Sequence, residues 1–117
     1  MDAAQSDYTN LRNDLANIGK YNILGTTTSP TDIFVTEVNF SKYREIFINI
    51  NYGAAGAEDY AVMTIPVSIL KDFANVSYYP SYHNGTALFK GHFKYEGNTS
   101  FSYSAPQGHG ITVVGIY

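Results

Sequence analysis

The stretch best suited to chemistry is Tyr78-Tyr79-Pro80-Ser81-Tyr82-His83-Asn84, where aromatic rings, an imidazole and an amide gather around a turn. Sugars offer C–H faces that stack on rings and hydroxyls that need fixed hydrogen-bond partners. Tyr78, Tyr79, Tyr82, His83 and Asn84 are therefore a candidate glycan-binding cluster. The plainer alternative is that alternate tyrosines face the core or a neighbouring subunit. Rival loops are Gly53 to Asp59 and Ala105 to Gly110, the second reading as a mobile connection. Catalytic constellations are harder to find. Glu58 and Asp59 are adjacent, but neighbouring side chains on an extended backbone diverge, so they do not form a working carboxylate pair. Ser104 and His109 flank a loop with no supporting acid in an obvious place and no nucleophile-elbow pattern. Gly108-His109-Gly110 lacks the lysine and following helix of a phosphate loop. The three histidines, at 83, 92 and 109, show no paired metal-ligand spacing, and with no cysteine there is no disulfide or thiolate chemistry. The expectation is a binding protein without catalytic residues, metal or cofactor.

The chain of 117 residues is long enough for one domain with a single core. Its net charge is -3 and no Lys/Arg cluster occurs, so the electrostatic footprint of a nucleic-acid partner is missing. No basic and apolar leader opens it, and no apolar run approaches the roughly 18 residues of a membrane span. It reads as soluble, without membrane insertion and without an export signal. Charged residues make up only 15% of the chain, against about 25% in ordinary domains, and polarity is carried by Asn, Ser, Thr, Gly and 11 Tyr. Such a surface suits hydrogen bonding and stacking. Asn39, Asn75, Asn84 and Asn98 head Asn-x-Ser/Thr sequons, which chance explains in an Asn/Ser/Thr-rich chain.

Two kinds of element must position these residues. From Asp7 to Gly19 the sequence is helical, and the apolar positions Ala4, Tyr8, Leu11, Leu15 and Ile18 are spaced 4, 3, 4, 3, the seam of a coiled coil. In this register Tyr8 and Leu15 are a, and Ala4, Leu11 and Ile18 are d. Asp7 falls at g and Arg12 at the following e, the pair that meets across a parallel interface. Leu at a with Ile at d, and an aromatic at a, favour three strands or more. Gly19 supplies a helix stop. So short a helix is marginal alone in water. The expected oligomer interface is Tyr8, Leu11, Leu15 and Ile18; the alternative is an amphipathic helix folded back on the sheet.

From residue 21 onward the pattern is extended. Strands are expected at Tyr21 to Thr26, Ile33 to Phe40, Arg44 to Tyr52, Tyr60 to Ile69 (with Pro66 marking an edge or bend), 74 to 82, Leu88 to Tyr95, Ser100 to Ser104 and Ile111 to Tyr117. Ser41-Lys42-Tyr43, His83-Asn84-Gly85-Thr86 and Glu96-Gly97-Asn98-Thr99 read as turns. Ile46, Ile48 and Ile50 share one face, which is core. About seven or eight strands without intervening helices predict an all-β antiparallel sandwich or jelly roll, not a parallel sheet. The domain plan is residues 1–19 as a coiled-coil helix and 20–117 as a β head.

The order of several segments resembles the C-terminal head domains of bacteriophage tail-fibre and receptor-binding proteins, particularly those of phages of Firmicutes and gut bacteria. The segments are Ile23-Leu24-Gly25 with Ser29-Pro30-Thr31, Phe40-Ser41-Lys42-Tyr43-Arg44-Glu45-Ile46-Phe47-Ile48, Ile65-Pro66-Val67, and Ile111-Thr112-Val113-Val114-Gly115-Ile116-Tyr117. They span nearly the whole chain, and it is their order, not any one of them, that is distinctive. The resemblance implies a homotrimer with a coiled-coil stem, located in the virion and assembled in the host cytoplasm, that attaches to a glycan or protein receptor on a bacterial surface. It also implies a fibre shaft upstream. It carries no catalytic motif. Two other classes fit the residues: a monomeric carbohydrate-binding module of a secreted hydrolase, and a purely structural virion protein.

Overall fold

A computed structural model describes residues 3–17, 20–51, 59–83 and 85–117. Helix α1 covers Ala3–Asn17. The strands are β1 (Tyr21–Thr27), β2 (Ile33–Val35), β3 (Glu45–Asn51), β4 (Asp59–Pro66), β5 (Ser77–Tyr78), β6 (Ser81–His83), β7 (Leu88–Lys90), β8 (His92–Gly97), β9 (Ser100–Ser104) and β10 (Gly110–Ile116), with a short helix α2 (Val67–Asp72) after β4. Every pairing among them is antiparallel. One sheet has the order β1-β10-β3-β4, a second β2-β9-β8-β5, and β6-β7 form a separate hairpin.

The two larger sheets share one core. Alternation sends Ile46, Ile48 and Ile50 of β3 and Ile111 and Val113 of β10 inward, all fully buried. Phe93 and Tyr95 of β8 and Phe101 and Tyr103 of β9 face them. Phe40 closes the core with its ring edge-on to Tyr95 at 5.1 Å and to Phe101 at 5.8 Å. Each such buried side chain contributes about 1.5–3 kcal/mol of transfer free energy. The isoleucine face is thus where the alternation put it.

Several expected boundaries move, for physical reasons. The strand from Ile33 stops at Val35, because Glu37 takes a positive φ of 66° and Phe40 turns inward in a single 3-10 turn (Phe40–Lys42). Asn39 Oδ1 caps that turn by accepting from the Ser41 amide at 3.1 Å. The extended run from 60 to 69 ends at Pro66, and a helix begins where another strand segment was expected. Val67 and Leu70, three apart, bury one side of α2, and Pro66 has no N–H to lose at its start. Leu88 to Tyr95 is two strands, not one. The chain bends at Gly91, whose amide donates to the Pro80 carbonyl at 2.8 Å. The Ala105–Gly110 connection is not a loose loop. Ala105, Pro106 and His109 are buried, and the Ala105 amide donates to the Ser29 carbonyl at 2.8 Å.

Helix α1 does not lie across the sheet with its seam covered: Tyr8 is 65% and Leu11 60% exposed. The folded-back alternative therefore fails for these two residues. The side chain of Leu15 and all of Ile18 lie outside the described residues, as do Gly53 to Glu58 and Asn84.

Candidate ligand-binding face

The outer surface of the β2-β9-β8-β5 sheet carries the polar chemistry of the domain. Because Phe93 and Tyr95 point inward, His92, Lys94 and Glu96 point outward; the same rule turns Ser102 and Ser104 of β9 away from the core, where both stay buried, Ser102 bonded to Glu96 and Ser104 to Asp32. Register then sets two rows across the strands. Phe34 pairs with Ser102, Ser102 with Lys94, and Lys94 with Ser77. In the second row Ser104 pairs with His92, flanked by Asp32 just before β2 and by Tyr79 just after β5. At about 4.8 Å per strand, four positions span about 14 Å.

A hydrogen-bonded chain runs along the second row and crosses to Ser77 of the first. His92 Nδ1 lies 3.0 Å from Asp32 Oδ1, and His92 Nε2 lies 2.9 Å from Ser77 Oγ. With the Asp32 carboxylate as acceptor, Nδ1 carries the ring proton and donates it; in the neutral ring Nε2 accepts from the Ser77 hydroxyl. Burial pushes the Asp32 carboxyl up, but hydrogen bonds from His92 and Ser104 and the charges of His92 and Lys94 outweigh it and hold the group below its ordinary value. In the first row Ser102 Oγ donates to Glu96 Oε1 at 2.8 Å, and Lys94 Nζ stands 3.7 Å from Glu96 Oε2. Two rings border this polar strip. The Tyr79 ring packs on the His92 ring at 5.3 Å with a 31° tilt, and Phe34 on the far side is 60% exposed. Hydroxyl, imidazole, ammonium and carboxylate groups between two exposed rings suit a polyhydroxylated ligand.

The tyrosine-rich cluster is divided by this arrangement. Tyr79, 53% exposed, belongs to the face. Tyr78 points inward, half-buried against Phe93 at 6.3 Å, and serves the core. Tyr82 stacks on Phe89 at 5.1 Å and shares a hydrogen bond with His109 Nε2, which ties the β6-β7 hairpin to the strap before β10. His109 Nδ1 is occupied by the Gln107 carbonyl at 3.0 Å. His83 Nδ1 accepts from the Gly85 amide at 3.0 Å and shapes the turn. Asn84 lies outside the described residues. Asp32, Ser77, His92, Lys94 and Phe34 were not singled out from the sequence. The outward triplet of HFKYEG was a usable signal, but Asp32 and Ser77 reach His92 only through strand pairing over 60 and 15 residues.

No family model, curated protein or solved structure matches the chain. Among the described residues no group of three or more His, Asp or Glu could hold a metal ion, and no helix is long and apolar enough to cross a membrane.

Proposed function

We propose that the chain is the receptor-binding head of a bacteriophage tail fibre: a β-sandwich of jelly-roll type, trimerised through a coiled-coil stem formed by α1, that attaches the virion to a bacterial surface glycan. The observation that carries the binding role is the two-row polar face bounded by Tyr79 and Phe34. The exposed seam residues Tyr8 and Leu11 support the stem, and the order of segments supports the family. The test is binding of the 117-residue chain to an array of bacterial surface polysaccharides. Tyr79→Ala should lower affinity at least tenfold with little change in melting temperature, and His92→Ala should lower affinity as much while losing at most about 1 kcal/mol of stability with its Asp32 and Ser77 contacts, whereas Tyr82→Ala should lower the melting temperature by unpinning the hairpin. Full binding by both face variants would sink the assignment.

A second reading rests on the Asp32–His92–Ser77 chain, which has the connectivity of an acyl-transfer relay. In it, Ser77 Oγ would bond the acyl carbon of an ester while its proton passes to His92 Nε2. The departing alcohol takes up that proton, and water then releases the acyl group. Binding is preferred because the Asp32 side chain is 57% exposed, where a relay acid gains little from water exclusion. Labelling of Ser77 by a fluorophosphonate probe would favour the enzyme.

A further inference from the structure

The opposite face of the domain is polar around Thr26, Thr112 and Asn49 but apolar toward the start of β1 and the end of β10. On the β1-β10-β3-β4 sheet the outward positions include Tyr21, Ile23, Phe47, Val62, Val114 and Ile116. Tyr21 is 64%, Ile23 63% and Val62 59% exposed. Ile23 pairs with Val114, which pairs with Phe47, making an apolar row across three strands. Tyr21, Phe47, Val114 and Ile116 line a depression of about 300 Å³ beside it. Among the side chains described on this face, Glu45 alone carries a charge, and Arg44 pairs with it at 3.2 Å. A contiguous apolar surface of this kind marks a protein contact.

We infer that this face is covered by further copies of the same chain, so that the β heads meet through their β1-β10-β3-β4 sheets. The inference rests on the reading of α1 as a self-associating stem and adds to it the surface by which the heads join. Two observations select a second copy as the occupant. The first is chain length. Tyr21 follows Asn17, the last residue of α1, by four residues, so at about 3.5 Å per residue it starts within about 14 Å of the helix end. Helices gathered on one axis thus bring Tyr21 and Ile23 of every copy close to that axis. The second is charge. A symmetric contact sets like patches against each other, and an uncompensated charge would meet itself; among the side chains described on this face the one charge, Glu45, is paired with Arg44. The chain's own helix does not cover the face with its seam, since Tyr8 and Leu11 are exposed.

The experiment uses the whole chain, which contains no cysteine. Ile23→Cys should give a disulfide-linked species on mild oxidation, and Phe34→Cys, on the opposite sheet, should not. By light scattering across micromolar concentrations, Val114→Lys should raise the dissociation concentration at least tenfold, with the strand signal in circular dichroism retained. A wild-type chain that is monomeric at tens of micromolar, or equal cross-linking of both cysteine variants, overturns the inference. In the first case the face is left to a different protein. If assembly depends on Leu11 and Leu15 but is indifferent to Val114→Lys, the stem survives and the head contact falls. Glycan binding by a dissociated Val114→Lys head reports on the receptor role separately.

Discussion

Substituting Gly25 by alanine tests whether the two sheets sit face to face as described. Gly25 lies on β1, beside a bulge between Ile23 and Gly25, and a Cβ built there would stand 2.6 Å from the Tyr103 hydroxyl and 2.7 Å from its ring carbon Cζ. Real side chains do not approach so closely, so something has to give by most of an ångström. Tyr103 is poorly placed to move. It is only 4% exposed, stands 5.5 Å from the Phe101 ring, and burial raises its hydroxyl above the ordinary tyrosine range despite a hydrogen bond with the Thr26 backbone. Overpacking of this type costs about 1–3 kcal/mol. For 117 residues the unfolding entropy is about 0.25 kcal/mol per kelvin, so the melting temperature should fall by about 4–12 °C. Thermal melts at fixed protein concentration measure it, since assembly makes the midpoint concentration-dependent. In a Tyr103→Leu background the same glycine substitution should cost less than about 0.5 kcal/mol, because its clashing partner is gone. An equal loss in both backgrounds, or none in the wild type, would mean that Tyr103 does not fill the space beneath β1.

Two further outcomes follow from the other features. Because the folded Asp32 carboxyl is depressed, it adds stability above its ordinary value of about 3.9 and loses it as pH falls through the folded value. Wild type should melt above Asp32→Asn by the equivalent of at most about 1 kcal/mol for so exposed a pair, and the gap should close as pH falls below about 4; a gap that widens on acidification contradicts the pairing. Replacing Leu11 and Leu15 by Asp should weaken assembly in sedimentation while the β signal persists. Collapse of the strands would make α1 part of the core.

What the sequence could convey about the fold depended on whether a signal was local. Alternation in Glu45–Asn51 identifies Ile46, Ile48 and Ile50 as core without knowledge of any partner strand, and the turn around Gly85, whose φ is 93°, is likewise a short-range feature. The α2 turn was missed because Val67 and Leu70 read as part of a β run until Pro66 is seen to end it. The break at Gly91 was missed for a related reason: what bends the chain there is a contact with Pro80 and crowding by Ile111, whose Cδ1 would stand 3.0 Å from any Cβ. The site was less legible still. Tyr79 could be nominated from its neighbours, but its difference from Tyr78 is a matter of which sheet face each takes, and that is decided by pairing of Tyr78 with Phe93. The Asp32–His92 contact joins residues 60 apart, and no spacing rule anticipates it.

The contrast between the two sheet faces bears on how weak a single site could be and still serve attachment. If heads meet by the face holding Tyr21, Ile23 and Val114, the strip holding Asp32, His92, Ser77 and Tyr79 lies on the opposite side of each head and is turned away from the shared axis. Three such strips then face outward together, each about 14 Å across. Linked sites on one target surface raise avidity by about 10² to 10⁴ over one site, provided that all can engage together. Shallow binding on the sheet surface is then sufficient. The same geometry predicts the order in which perturbations act: loss of the apolar contact should weaken avidity while leaving single-head affinity intact, and loss of Tyr79 should reduce both.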